Sequence, residues 1–345
     1  MLALRKTHPG TGVELHHVPE PPAPGPGEAL IEVAATGICG TDLGIDDWIP
    51  MYKSFMANAL PVTIGHETAG RVVALGTGVQ GLATGDRVVV NPAVACGRCI
   101  ACDAGMPDDC RNRQAIGLIR DGAFARYMLA PASYLYRLPA NVPTELGALA
   151  EPLTTSAHAL TTAGMAPGKR VVVFGPGPIG QGAALIARQM GATDVTVVGL
   201  NDAARFGTLA QMGFENLVDM REPDAAARLS SLAGDGFDIA IEAAGVPVVI
   251  DQALAVLRPW GVLAVAGMPE APATVDILKL VRNRLQIRGV SRAPRAAWTI
   301  VLEALAKEPD AFAPMITHRL PLTDALRGFS LCEAREASKV LIYPQ

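Results

Sequence analysis

Apolar positions along this chain fall into two patterns. Over residues 1–150 they come as short β-branched runs between glycines and prolines, and helical periodicity is scarce. Ala29 to Ala34, Gly70 to Leu75 and Arg87 to Asn91 read as strands bounded by turn signals. An irregular, mostly β domain is expected there. From about residue 153 to 287 strand and helix patterns alternate. Val171 to Phe174 is a short buried strand, followed by a glycine-rich turn, a helix from about Ile179 to Met190 and a strand from Val195 to Val198. A helix from about Ala203 to Met212, the strand Asp238 to Glu242, a helix near Val249 to Leu257 and the strand Gly261 to Ala266 continue the alternation. Such alternation implies a parallel sheet with right-handed crossovers. After about residue 288 the pattern is mixed again. The expected organisation is therefore α/β, with residues 1–152 and 288–345 forming the mostly β domain and 153–287 the parallel-sheet domain.

Composition narrows the class. At 345 residues, half of them hydrophobic and 18% charged, the chain can bury two cores. A net charge of −4 provides no basic footprint for nucleic acid. The most apolar stretch, Val171 to Leu200, is interrupted by Gly175, Gly177, Gly180, Arg188 and Gly191, which argues against a membrane span. The polar start, with Arg5, Lys6 and His8, does not read as a signal peptide, so the expected setting is cytoplasmic.

The glycine-rich turn carries chemistry. Gly175-Pro176-Gly177-Pro178-Ile179-Gly180 is a G-x-G-x-x-G between a strand and a helix, with a second strand beyond, the context of a Rossmann dinucleotide site. The first glycine makes the tight turn, the second admits the pyrophosphate to the backbone, and the third lets helix pack on strand. An acidic residue is expected about 20 residues on, to bind the ribose 2′-OH. Gly199 stands there instead. Arg205 can pair with a 2′-phosphate, and Asp202 can bind ribose hydroxyls from a shifted position, so NAD and NADP both remain open. NAD is slightly favoured because no arginine directly follows Gly199.

Six cysteines are distributed unevenly. Cys96, Cys99, Cys102 and Cys110 follow a C-x2-C-x2-C-x7-C spacing, which brings four thiolates within reach of one tetrahedral ion and favours structural zinc. An iron–sulfur cluster is the rival, and a disulfide framework suits neither the chain length nor the lack of a secretory signal. A second, sparser set comprises Cys39 in Gly37-Ile38-Cys39-Gly40-Thr41-Asp42, His66 and Glu67 in Gly65-His66-Glu67, and Glu151 in Glu151-Pro152-Leu153. A thiolate, an imidazole and one or two carboxylates make a mixed zinc site with a position left for water or substrate. Zinc there acts as a Lewis acid on a bound oxygen.

In order and spacing these motifs resemble the zinc-containing medium-chain alcohol dehydrogenases over essentially the whole chain. The closer resemblance is to the polyol (sorbitol) and threonine dehydrogenase branch, where Glu-Pro-Leu replaces a third cysteine ligand. The resemblance implies a GroES-like catalytic domain, two zinc ions per chain, NAD or NADP, and oxidation of a secondary alcohol in a polyol, sugar or hydroxy-amino acid. It implies Cys39 and His66 as catalytic zinc ligands and Glu67 as the third ligand at rest. Glu151 would bind zinc or its water, Thr41 would bind the substrate hydroxyl, and Asp42 would orient His66. Arg292 would lie near substrate and cofactor. A homodimer or homotetramer joined along the strand near Leu285 to Val290 is also implied. Many relatives carry histidine three residues after the threonine as a proton relay; this chain has Gly44. The stretch Asp46 to Ala59, which lines the substrate cleft in the family, is unusual in carrying Trp48, Met51 and Tyr52. The rival readings are a reductase or dehydrogenase of simple alcohols or aldehydes, a zinc-free quinone reductase of the same superfamily, and a non-catalytic NAD(P)-binding protein.

Overall fold

The computed structural model describes residues 1–345, and the chain divides into two compact units, Met1–Glu151 with Ile316–Gln345, and Pro152–Met315. The first unit opens with β1 (Leu2–Lys6), β2 (Glu14–His17) and β3 (Glu28–Gly37). In β3 the buried positions Ala29, Ile31, Val33 and Ala35 alternate with less buried ones, the period-2 signature of a half-buried strand. Two short helices follow, α1 (Gly40–Asp46) and α2 (Pro50–Met56), then β4 (Val62–Thr63), β5 (Glu67–Leu75) and β6 (Arg87–Val90). Helix α3 (Ile100–Asp103) lies in the cysteine loop, β7 (Tyr127–Pro131) and β8 (Leu135–Arg137) come next, and α4 (Ala150–Ala163) carries the chain into the second unit from Pro152.

The second unit runs β9 (Arg170–Phe174), α5 (Pro178–Gln189), β10 (Asp194–Gly199), α6 (Ala203–Gln211), β11 (Leu217–Asp219), α7 (Ala225–Ala233), β12 (Phe237–Glu242), α8 (Pro247–Ala255), β13 (Leu257–Val265), α9 (Ile277–Arg282) and β14 (Gln286–Gly289). Its six strands are all parallel, in the order β11-β10-β9-β12-β13-β14. That is the doubly wound 3-2-1-4-5-6 order, with a switch point between β9 and β12 where a ligand crevice forms beyond the strand ends. Val171, Val172 and Val173 are all fully buried, as a central strand covered on both faces requires.

The unit does not end near residue 288 as the sequence pattern suggests. Helix α10 (Arg295–Lys307) and α11 (Pro309–Phe312) stay with it, tied to α5 through Gln189 Nε2, which donates to the Ala304 carbonyl and to Glu308 at 3.3 Å each. The chain returns to the first unit only at β15 (Ile316–Pro321), α12 (Ala325–Glu333) and β16 (Lys339–Tyr343). There β16 pairs antiparallel with the end of β3 at Thr36 and Gly37, giving a sheet of order β15-β16-β3-β5-β6-β8, and β7 pairs with the start of β3 over Glu28–Glu32. No helix is long and apolar enough to cross a membrane.

Candidate active site and metal centres

The reactive set of the first unit sits at strand ends. Cys39 follows β3 and caps α1, with its N–H donating to Asp42 Oδ2 at 2.9 Å. The helix thus begins with a short acidic box that fixes the thiol at its first turn. His66 follows Gly65, whose φ of 95° only glycine adopts readily and whose Cβ would lie 2.9 Å from the Phe124 backbone nitrogen. His66 and Asp42 are both buried, and Nδ1 faces Asp42 Oδ1 at 3.6 Å, with neither atom hydrogen-bonded. Burial alone would lower the His66 pKa. Asp42, Cys39 and Glu151 outweigh it and hold the imidazole well above its ordinary value. Burial conversely pushes Asp42 up, opposed by His66, and burial pushes the Glu151 carboxyl up to about 7.

These mutual effects describe a pocket with more buried acid than cation. Cys39, His66 and Glu151 each offer a donor atom, and a divalent cation would relieve the strain on both carboxylic acids, so the donor chemistry fits zinc. Glu67 is placed differently. Lys339, on β16, donates to both of its oxygens at 2.8 and 2.6 Å and to the Ile38 carbonyl at 2.9 Å. Both partners are buried, and Glu67 Oε2 lies where a Cβ on Gly37 would come within 2.0 Å. The sequence reading missed Lys339. Its one signal was a lysine opening an otherwise apolar strand.

Thr41 lies on the first turn of α1, and Gly44 one turn later is covered by the Tyr52 ring: a Cβ there would meet Tyr52 Cε2 at 2.5 Å.

The cysteine quartet converges as its spacing suggested. Its four sulfurs all lie within 4.8 Å of one another, the one set of three or more such side chains that does so. Cys99 Sγ is 3.5 Å from Cys102 Sγ and 3.8 Å from Cys110 Sγ. Four sulfurs at about 2.3 Å from a tetrahedral zinc are about 3.8 Å apart, so the loop matches that ion. The Cys102 N–H and neighbouring thiols bring Cys99 down to about 6, the readiness to ionise that a metal thiolate needs, while burial pushes Cys102 up to about 11.

In the second unit the glycine turn is built as its motif requires. Gly175 has φ 108°, and its Cβ would sit 2.7 Å from the Ala243 carbonyl carbon, at the exit of β12 beside the switch point. Gly180 presses on the Gly175 carbonyl, where a Cβ would come within 1.8 Å. Gly177 caps α5, with Pro178 and Ile179 in its first turn, and has open space but for Arg205 Nη1, 3.9 Å from its would-be Cβ. Gly199 ends β10, where a Cβ would meet Pro176 and Phe206 side chains at 2.8 and 2.9 Å, so an acid there would have to displace one of them. Asp202 is buried and paired with Arg205 at 3.1 Å. Asp219, at the end of the neighbouring strand, accepts from the Asn201 and Arg221 backbones at 3.0 Å and pairs with the Arg221 side chain. Arg292 is exposed beyond β14 at φ 58°.

The donors of Cys39, His66, Glu67 and Glu151 are not drawn together as the quartet's sulfurs are. A four-thiolate metal loop on a mostly β unit, and a dinucleotide turn at the switch point of a doubly wound sheet, mark a zinc-binding nicotinamide dehydrogenase. Comparison with known proteins agrees. Residues 25–140 match the alcohol dehydrogenase GroES-like domain and residues 178–307 the zinc-binding dehydrogenase domain. The chain is 33% identical over 344 residues to an L-threonine 3-dehydrogenase of Aeromonas hydrophila, covering 99% of each. Among solved structures it superposes on 2R,3R-butanediol dehydrogenase of Bacillus subtilis with a TM-score of 0.89 at 28% identity, covering 100% of this chain and 99% of the other. It also superposes on galactitol-1-phosphate dehydrogenase of Escherichia coli with a TM-score of 0.88 at 26% identity, covering 100% of both. The chain belongs to the zinc-binding alcohol dehydrogenase family. It is an NAD(P)-dependent oxidoreductase acting on alcohols.

Proposed function

We propose that the protein oxidises a secondary alcohol within a polyol, sugar or hydroxy-amino acid to the ketone, with Cys39, His66 and Glu151 holding the catalytic zinc. The observation that carries this is the buried His66–Asp42 pair beside Cys39, with Glu151 pushed up to about 7 in the same pocket. The named relatives act on a hydroxy-amino acid, a vicinal diol and a phosphorylated polyol, all with secondary hydroxyls. When bound, zinc supplies Lewis acidity to the substrate oxygen. Asp42 orients the imidazole from behind, the usual need of a metal-bound histidine. Glu67, engaged by Lys339, acts as a nearby fixed charge in place of a resting ligand. Thr41 would accept the substrate hydroxyl proton while passing its own hydroxyl hydrogen onward, and the bound nicotinamide would supply the hydride acceptor. The Gly175–Gly180 turn and the α5 N-terminus seat the pyrophosphate. Arg292 is assigned no contact with substrate beyond the resemblance.

NAD is the proposed cofactor. The arginines at the ribose end, Arg205 and Arg221, are each paired with a carboxylate, Asp202 and Asp219, so no uncompensated cation waits for a 2′-phosphate. The second zinc per chain occupies the cysteine quartet. The edge strand β14 with exposed Ile287, beside exposed Ile277, Leu278 and Val281 of α9, is the proposed subunit contact of a homodimer or homotetramer in the cytoplasm. Metal analysis and an alcohol panel followed by nicotinamide absorbance test the reading. Cys39→Ala and His66→Ala are expected to abolish turnover with the quartet's zinc retained; full activity in either would overturn it.

A further inference from the structure

Helices α1 and α2 are joined by a turn that folds one back on the other. Trp48 takes a left-handed φ of 56°, Ile49 N–H donates to the Gly44 carbonyl at 3.1 Å, and Tyr52 N–H donates to the Ile49 carbonyl at 3.0 Å. Lys6 supports the turn from beneath: fully buried, it donates to the Gly12 and Asp46 carbonyls at 2.8 and 3.4 Å and lies 4.9 Å from the centre of the Trp48 ring. The result is that the Tyr52 ring, 7% exposed, is laid over the face of α1 at residue 44. Its Cε2 and Cδ2 would be 2.5 and 3.1 Å from a Cβ at Gly44, and Ile49 Cδ1 would be 3.2 Å away. Only glycine at 44 admits the ring. From the same face, one turn earlier, the Thr41 hydroxyl comes within hydrogen-bonding reach of the Tyr52 phenol.

We infer that Tyr52 is a positioning and proton-transfer residue that takes the place of the side chain missing at Gly44. This rests on the proposed role of Thr41. The substrate O–H proton passes to Thr41 Oγ as the Thr41 hydrogen moves to Tyr52 Oη and the phenol hydrogen moves to solvent water. Each hydroxyl ends with the single hydrogen it began with, and the two electrons leave with the hydride to nicotinamide. Position 44 and position 52 are thus one device: the ring needs the glycine, and the glycine leaves the relay to the ring.

The test is Tyr52→Phe, which keeps the ring in place and removes only the hydroxyl. It is expected to lower kcat by on the order of tenfold with little change in the alcohol KM, and to enlarge the solvent deuterium isotope effect. Proton release on binding a non-oxidisable fluoroalcohol to the oxidised-cofactor complex, read with a pH indicator, is expected to slow in parallel. Tyr52→Ala combined with Gly44→His frees the space and refills it with an imidazole, and is expected to turn over faster than Tyr52→Ala alone. Tyr52→Phe with unchanged kcat, isotope effect and proton release would overturn the inference. Thr41→Val separates the two levels: if it fails to turn over while Tyr52→Phe is normal, only the Tyr52 role falls; if both are fully active, the Thr41 reading falls too.

Discussion

Replacing Lys339 with methionine isolates the buried pair behind the active site. The side chain keeps its length and loses its charge, leaving Glu67 fully buried with its cation gone. Breaking a buried pair from one side costs about 3–5 kcal/mol. The carboxylate has one escape, which is to take up a proton. That costs about 1.36 kcal/mol per pH unit above the ordinary glutamate value near 4.3, or about 3.7 kcal/mol at pH 7 and about 1 kcal/mol at pH 5. The two figures agree at neutral pH, so Lys339→Met is expected to lower stability by about 4 kcal/mol there, a fall in Tm of roughly 10 °C. The sign follows from linkage. A carboxyl forced to be neutral in the folded state binds more protons folded than unfolded, so its deficit grows as pH rises above the unfolded value. Glu67→Gln in the Lys339→Met background removes the stranded charge and is expected to recover most of the loss. Thermal unfolding of the metal-loaded protein at pH 5 and pH 7 reads all three. A Lys339→Met deficit under about 1 kcal/mol at pH 7, or one no smaller at pH 5, would refute the reasoning.

Three further outcomes are expected. Cys102→Ser removes one corner of the quartet and should leave one zinc fewer per chain by mass spectrometry, with the Cys96–Cys110 loop newly open to protease and the catalytic zinc retained. Glu145 accepts from Arg319 at 3.0 and 2.8 Å, and this outweighs burial to hold its carboxyl below the usual range. Its contribution is therefore present above about pH 4.3 and lost as pH falls through the lower folded value, so the stability gap to Glu145→Gln should narrow steadily on acidification below the usual glutamate range in denaturation curves. Gly199→Asp, the change that would restore the usual acidic residue, should weaken NAD and NADP binding together in fluorescence titrations. Its Cβ must displace Pro176 or Phe206, 2.8 and 2.9 Å away, an overpacking cost of about 1–3 kcal/mol.

What could be read in the sequence had local causes. The glycine turn, the valine strand before it and the four cysteines each owe their geometry to residues within one short segment. Their spacing therefore carried the structure: Gly175 at φ 108° and sulfurs 3.5 to 3.8 Å apart. Strand β11 and helix α7 escaped notice because Leu217–Asp219 is too short to show a period and α7 buries only Ala225, Leu229 and Ala233. The domain return was placed too early because α10 is amphipathic like any surface helix, and only its contact with α5 assigns it to the second unit. Lys339 goes unread in the sequence, and Tyr52 is legible there only as an unusual residue of the cleft, without its relation to Gly44. One reaches its partner across 272 residues, and the other fills a void defined by the absence of a side chain at Gly44. Neither relation has a spacing to recognise.

The lysine that pairs with Glu67 lies on β16, 272 residues further along the chain. A ribosome adding about 5–20 residues per second emits Glu67 roughly 15–50 s before Lys339. Throughout that interval the nascent first unit holds Cys39, His66 and Glu67, joined later by Glu151, but lacks both β16 and the cation that neutralises Glu67. The acid must stay solvated, and the strand edge of β3 that β16 later covers stays unpaired. Closure around Glu67 is thus tied to the arrival of β16, which leaves the side chains behind it open to solution until that strand pairs with β3.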